Sequence, residues 1–163
     1  MARIPKELAV IPSLLDRLLD DDPDVSKEST AARLQNVHEL KASVARDLEA
    51  MLNTHREALL DIADGYPEVS RSLATYGLPD LLSFDLRNHQ DRNRVCRLLE
   101  QAVMNFEPRL KQVRVTLGQP REHERALRFR LDAFLEVKPA REKVAFDAVL
   151  QLTTQQYQVE GKD

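Results

Sequence analysis

The chain of 163 residues contains no tryptophan, one cysteine and four glycines, and each scarcity removes a class of function. A single thiol, Cys96, excludes a disulfide framework and any multi-cysteine metal site. Phosphate-cradling loops need several glycines close together, because the backbone must approach the phosphate without Cβ atoms in the way. Here the glycines stand apart at 65, 77, 118 and 161, which excludes Walker-type and dinucleotide-binding functions. Nothing approaches a run of about 18 apolar residues, and the segment Met1 to Lys6 lacks a signal-peptide core. The expectation is a soluble intracellular protein with no direct membrane insertion.

What is present is a 42% hydrophobic, 31% charged chain, long enough to bury an ordinary single core. Its net charge of -3 is unevenly spread. Residues 1–86 hold nine Lys/Arg against sixteen Asp/Glu, a net of -7, whereas residues 87–143 hold fourteen against eight, a net of +6. Such a distribution arises from ordinary solvated faces, or it marks a two-signed molecule placed between partners of opposite potential. A nucleic-acid reading of the basic block lacks a helix-turn-helix or RNA-binding motif, and no nucleic-acid partner is expected.

The pattern along the chain divides it in three. Ser13 following Pro12 caps a short helix presenting Leu14, Leu15, Leu18 and Leu19, which runs into an acidic stretch at residues 20–24. Residues 1–33 thus read as a docking segment and polar linker. Too small to make a core, the segment folds back on the domain or lies in a partner's groove, and docking is the favoured reading. A single domain spans 34–160, with 161–163 as a tail. Val37, Leu40, Val44, Leu48 and Met51/Leu52 form a helical stripe, with Arg46 and Asp47 on its polar side. A short helix is expected over Glu68–Tyr76, stopped by Gly77, then a loop over 78–90. A further helix is expected from about Asp91 to Asn105 or Phe106, carrying Val95, Leu98/Leu99, Ala102/Val103 and Phe106.

Then the period falls from 3.6 to 2. Val113, Val115 and Leu117 alternate with polar residues, as do Leu127 to Leu135 and Val144 to Leu152, and Tyr157 with Val159 adds a short fourth strand. Short connections give an antiparallel meander. The fold class is α+β, with N-terminal helices packed on one face of a C-terminal three- to four-stranded antiparallel sheet.

Catalytic constellations are sparse. The histidines at 38, 55, 89 and 123 lie in separate segments without i, i+4 spacing, so no metal site is expected, and no cofactor. No G-x-S-x-G elbow is present. Glu100 and Glu107 share one helical face about 10 Å apart, at the far edge of the window for glycosidic acid–base pairs. With so few aromatics to stack on sugar rings, that enzymatic reading stays weak. Glu107-Pro108-Arg109 is more informative. Proline disfavours helical backbone in the residue before it, which ends the helix near Glu107 and leaves a carboxylate at the negative end of the helix dipole. A compensating cation is expected there. The residues alone leave two readings open: a local salt bridge that shapes the corner, or an ionic pair presented to a partner.

Four blocks together carry a resemblance. Residues 12–23, residues 40–56, the stretch Ser72 to Asp80 with its Tyr76-Gly77-Leu78-Pro79-Asp80, and Phe106 to Leu110 occur in the order seen in the TssE family of type VI secretion baseplate components. The Glu107-Pro108-Arg109 motif is shared with the baseplate wedge protein of contractile phage tails. The resemblance implies a non-enzymatic structural component of the baseplate wedge that couples it to the contractile sheath and helps initiate sheath assembly. It further implies wedge partners TssF, TssG and TssK, sheath partners TssB and TssC, and a partner-binding role for Glu107, Pro108 and Arg109. Leu14, Leu15, Leu18 and Leu19 are expected to dock on wedge subunits, and the sheet on the sheath by strand addition at an open edge. The alternative, suggested by a "lysozyme-like" label attached to the family, is a peptidoglycan hydrolase.

Overall fold

The computed structural model describes residues 10, 12–19, 36–56, 66, 68–69, 72–81, 84–85, 88–118, 126–137, 140–151, 153–154 and 156–162. The acidic linker at 20–33, His123 and Leu152 lie outside the described residues. Helix α1 (Leu14–Leu18) is capped by Ser13, and α2 (Val37–Leu52) by Asn36 in a reciprocal box with Glu39. Helix α3 (His89–Phe106) starts two residues before the expected Asp91, because the Asn88 side chain accepts the Gln90 N–H at 2.9 Å.

Strands β1 (Leu110–Leu117), β2 (Ala126–Val137), β3 (Ala140–Gln151) and β4 (Gln156–Lys162) form one antiparallel sheet in that order. Alternation decides its faces. Leu127, Phe129, Leu131, Ala133 and Leu135 of β2, with Val144, Phe146, Ala148 and Leu150 of β3, point to the helices and are buried. Helix α3 packs against β1 and α2 against β4, so the expected α+β architecture is the observed one. Strand β1 carries a bulge between Lys111 and Arg114, with Gln112 at φ 52°. The extra residue allows Leu110 and Val113 both to face the core. Strand β4 runs through Gly161 and Lys162, paired with Phe146 and Ala145, so these two residues belong to the sheet rather than to a tail.

Both outer strands are capped by helix side chains. On β4, Asn53 accepts the Tyr157 N–H at 2.7 Å and donates to the Tyr157 carbonyl at 3.0 Å, while Glu49 accepts the Val159 N–H at 2.9 Å. On β1, Glu100 accepts the Val115 N–H at 2.8 Å and Arg92 donates to the Leu117 carbonyl at 3.2 Å. Main-chain groups that would template another strand are already occupied at these positions. Among the described residues, pairing with β4 ends where Lys162 faces Ala145, and over 140–144 β3 is paired on its β2 side only.

No α-helix forms over the described part of Glu68–Tyr76. A 3-10 turn, Leu73–Thr75, stands there instead. The Ser72 and Thr75 hydroxyls donate to the Val69 carbonyl at 2.9 and 3.2 Å, competing with the backbone pattern that a longer helix requires. Gly77 follows at φ 94°, and the chain returns alongside the end of α2 through an isolated parallel bridge between His55 and Leu78. A Cβ at Gly77 would lie 2.2 Å from the Thr54 carbonyl oxygen. Gly77→Ala is therefore expected to destabilise the fold by about 2–3 kcal/mol, a fall in Tm of roughly 5–10 °C by calorimetry.

Candidate functional site

The corner at 107–110 is built by its sequence. Glu107 precedes a proline and leaves the helix with φ -117° and ψ 83°, ending α3 at Phe106. A turn follows, closed by the Leu110 N–H donating to the Glu107 carbonyl at 3.1 Å. The Glu107 side chain points inward and the residue is only 5% exposed, at the negative end of the α3 dipole. A carboxylate there is unfavourable on two counts, desolvation and dipole.

Arg109 resolves both. Its Nε and Nη2 donate to the two Glu107 carboxylate oxygens at 2.6 and 2.5 Å, a bidentate fork. Nη2 also reaches Asp47 Oδ2 at 2.5 Å, and Nη1 donates to Ser43 Oγ at 3.2 Å. Burial works against the Arg109 charge, but the two carboxylates outweigh it and raise its pKa. Of the two open readings of this pair, the geometry is that of a local salt bridge shaping the helix-to-strand corner. Pro108 alone of the three residues is exposed.

The network continues to the N-terminal segment. Ser43 Oγ–H donates to Asp16 Oδ2 at 3.0 Å, and Arg46 Nη2 bridges Asp16 Oδ1 at 2.6 Å and Asp47 Oδ1 at 2.8 Å. Asp16, Ser43, Arg109, Asp47 and Arg46 thus close a ring, with Glu107 attached at Arg109. The Asp16 side chain is 4% exposed. Burial pushes its carboxyl up, yet hydrogen bonds from Ser13, Arg46 and Ser43 prevail and hold it at about 2.

This ring turns α1 over. Its polar Asp16 faces the domain, and its leucines face water: Leu14 is 72% exposed, Leu15 52%, Leu18 73% and Leu19 49%. Four large apolar side chains thus stand together on the solvent face of one short helix. Between α1, α2 and the corner lies an open groove of about 590 Å³. Leu15, Leu48, Met51, Tyr76 and Phe106 give it apolar walls, and Asp47, Glu107 and Arg109 a charged end. Tyr76 and Phe106 meet edge to face at 5.2 Å. Burial, and then the charges of Asp47 and Glu107, push the Tyr76 phenol up.

Sequence reasoning placed the corner and the leucines but missed what joins them. Arg46 and Asp47 read as the solvated side of α2, although Ser43, a small polar residue inside the apolar stripe, signalled a polar contact there. The proposed acid–base pair does not assemble into a cleft. Glu100 holds the β1 backbone and Glu107 is engaged by Arg109. His38, His55 and His89 are exposed in separate segments, and no cluster among the described residues is disposed to hold a metal ion.

Residues 38–140 match the family described as baseplate wedge protein gp25. This chain belongs to that family. The gp25 match takes in α2, α3, the Glu107-Pro108-Arg109 corner, β1 and β2, whereas α1 with its leucines lies before it. Among solved structures, a chain in the baseplate complex from the type VI secretion system is 22% identical, covering 70% of this chain and 96% of that chain with a TM-score of 0.46. No curated protein matches. Among the described residues, no helix is long and apolar enough to cross a membrane.

Two consequences of the ring are measurable. Arg109→Met leaves Glu107 buried without its partner and is expected to cost about 2–3 kcal/mol in urea denaturation. Arg109→Lys should recover little of this, since an ammonium cannot reproduce the bidentate fork. The second concerns pH. A carboxyl depressed from 3.8 to about 2 contributes stability that is complete above its unfolded pKa and is lost as pH falls through its folded one. The stability advantage of wild type over Asp16→Asn is therefore expected to be constant above about pH 5 and to disappear between about pH 4 and 2.

Proposed function

We propose that this protein is the TssE-like component of a type VI secretion baseplate, a non-enzymatic adaptor that joins the wedge to the contractile sheath in the cytoplasm and helps start sheath assembly. The observation that carries the docking role is α1: a five-residue helix, too short to persist alone, held to the domain by charge with its leucines outward. Membership of the gp25 family and the four sequence blocks support the baseplate setting. On this reading residues 1–33 form the docking segment. Leu14, Leu15, Leu18 and Leu19 contact wedge proteins of the TssF, TssG and TssK type. Glu107, Pro108 and Arg109 serve the same interface indirectly, Glu107 and Arg109 by fixing the ring and Pro108 by standing exposed at the corner.

The sheath contact, with TssB- and TssC-type subunits, is narrowed by the capped edges. Strand addition beside Tyr157, Val159, Val115 or Leu117 would have to displace helix side chains. Among the described residues, no strand lies on the β4 side of 140–144 of β3, and a sheath-derived strand there would continue the lane of β4. Alternation places the Lys143 N–H toward that lane, because Ala145, Asp147 and Val149 face β4 in the same phase. Engagement of Glu100 and Glu107 in structural bonds argues against the hydrolase alternative.

The Leu14→Asp/Leu18→Asp double variant is expected to lose co-purification with wedge proteins while its Tm stays within about 2 °C of wild type, since surface changes of this kind cost little. Retained co-purification would remove α1 from the interface. Lys143→Pro, which deletes one lane-facing N–H, is expected to abolish sheath assembly in cells, whereas Lys143→Ala preserves it. Equal behaviour of the two variants would exclude strand addition at this site.

A further inference from the structure

We infer that the groove beneath the leucine ridge receives a helix of a baseplate partner that presents a large apolar side chain with a lysine or arginine within one turn of it. This rests on the wedge reading above and specifies its chemistry. The groove and the ridge are one surface, because Leu15 lines the first and belongs to the second while remaining half exposed. A partner covering the ridge therefore passes over Tyr76 and Phe106, whose rings are only partly buried, with Met51 buried in the groove wall.

Charge selects the occupant. The groove's charged end carries Asp47 and Glu107 against Arg109 alone, one carboxylate in surplus among the lining residues. Extending the count to Asp16 and Arg46 leaves the same surplus, three carboxylates against two guanidiniums. A further anion entering this end would be repelled, whereas one cation brings the cluster to neutrality. Shape selects a helix over a strand. The groove is walled by side chains of α1, α2 and the corner rather than by a ladder of free main-chain groups, so the occupant must satisfy its own backbone hydrogen bonds.

The test places a photo-crosslinking benzoylphenylalanine at Ala50, an exposed groove residue outside the charge ring, and in a second strain at Leu18, in the full chain expressed with its baseplate. Crosslinked peptides are mapped by mass spectrometry. The expected result is that Ala50 crosslinks to a helical segment with a lysine or arginine within four residues of an apolar anchor. Reversing that cation to glutamate then lowers recovery of the complex about tenfold, about 1.4 kcal/mol. Ala50→Arg, which fills the groove and repels a cation, is expected to reduce recovery similarly with Tm unchanged. Crosslinks from Leu18 but none from Ala50, an acidic segment at Ala50, or full recovery with Ala50→Arg would each overturn the groove inference and leave the wedge reading standing. Failure of both positions to crosslink any baseplate protein would overturn the wedge reading itself.

Discussion

The Arg109 guanidinium holds together three parts of the chain that are far apart in sequence. It neutralises Glu107, whose carboxylate the Pro108 turn forces into the interior at the end of α3, and it reaches across to Asp47 and Ser43 on α2. Ser43 and, through Asp47, Arg46 pass the connection to Asp16 of α1. Only a planar, multiply donating cation fits that position, because one side chain must serve two carboxylates and a hydroxyl at once. Remove it and the corner carries a buried, unpaired carboxylate, while the Ser43 hydroxyl and Asp47 lose the cation that ties them to the corner.

The consequence for the surface is an inverted helix. An amphipathic segment ordinarily hides its leucines and shows its acids to water. Here charge-assisted hydrogen bonds to the single acid are strong enough, in a partly buried setting, to hold the opposite arrangement. The exposed apolar area is thereby ordered before any partner arrives, which lowers the entropy cost of binding. Capping of the sheet margins works in the complementary sense. Glu49 and Asn53 on one side, Arg92 and Glu100 on the other, occupy edge groups that would otherwise pair indiscriminately.

Much of this was legible in the residues. The stripe Leu40, Val44, Leu48 and Met51, the alternation from Leu127 to Leu135, and the helix stop before Pro108 follow from periodicity and backbone sterics, which are local. The need for a cation near Glu107 was legible too, since the dipole argument uses one helix end. What stayed hidden depends on tertiary partners. Asp16 meets Arg46 across 30 residues of sequence, and nothing in either residue type specifies the other. The 3-10 turn at Leu73–Thr75 arises from hydroxyls bonding their own backbone, and the Gln112 bulge from fitting Leu110 and Val113 into one core. Edge capping by Asn53 and Glu49 becomes visible only once α2 lies against β4.

The most direct test of the clamp is a double-mutant cycle on wedge binding, with affinities measured by titration calorimetry for wild type, Leu18→Ala, Arg46→Ala and the double variant. An anchored ridge predicts that Leu18→Ala weakens binding about tenfold when Arg46 is present and hardly at all when it is absent, a coupling of about 1.4 kcal/mol. An equal loss from Leu18→Ala in both backgrounds would contradict the claim that the charge ring is what makes the leucines a docking surface.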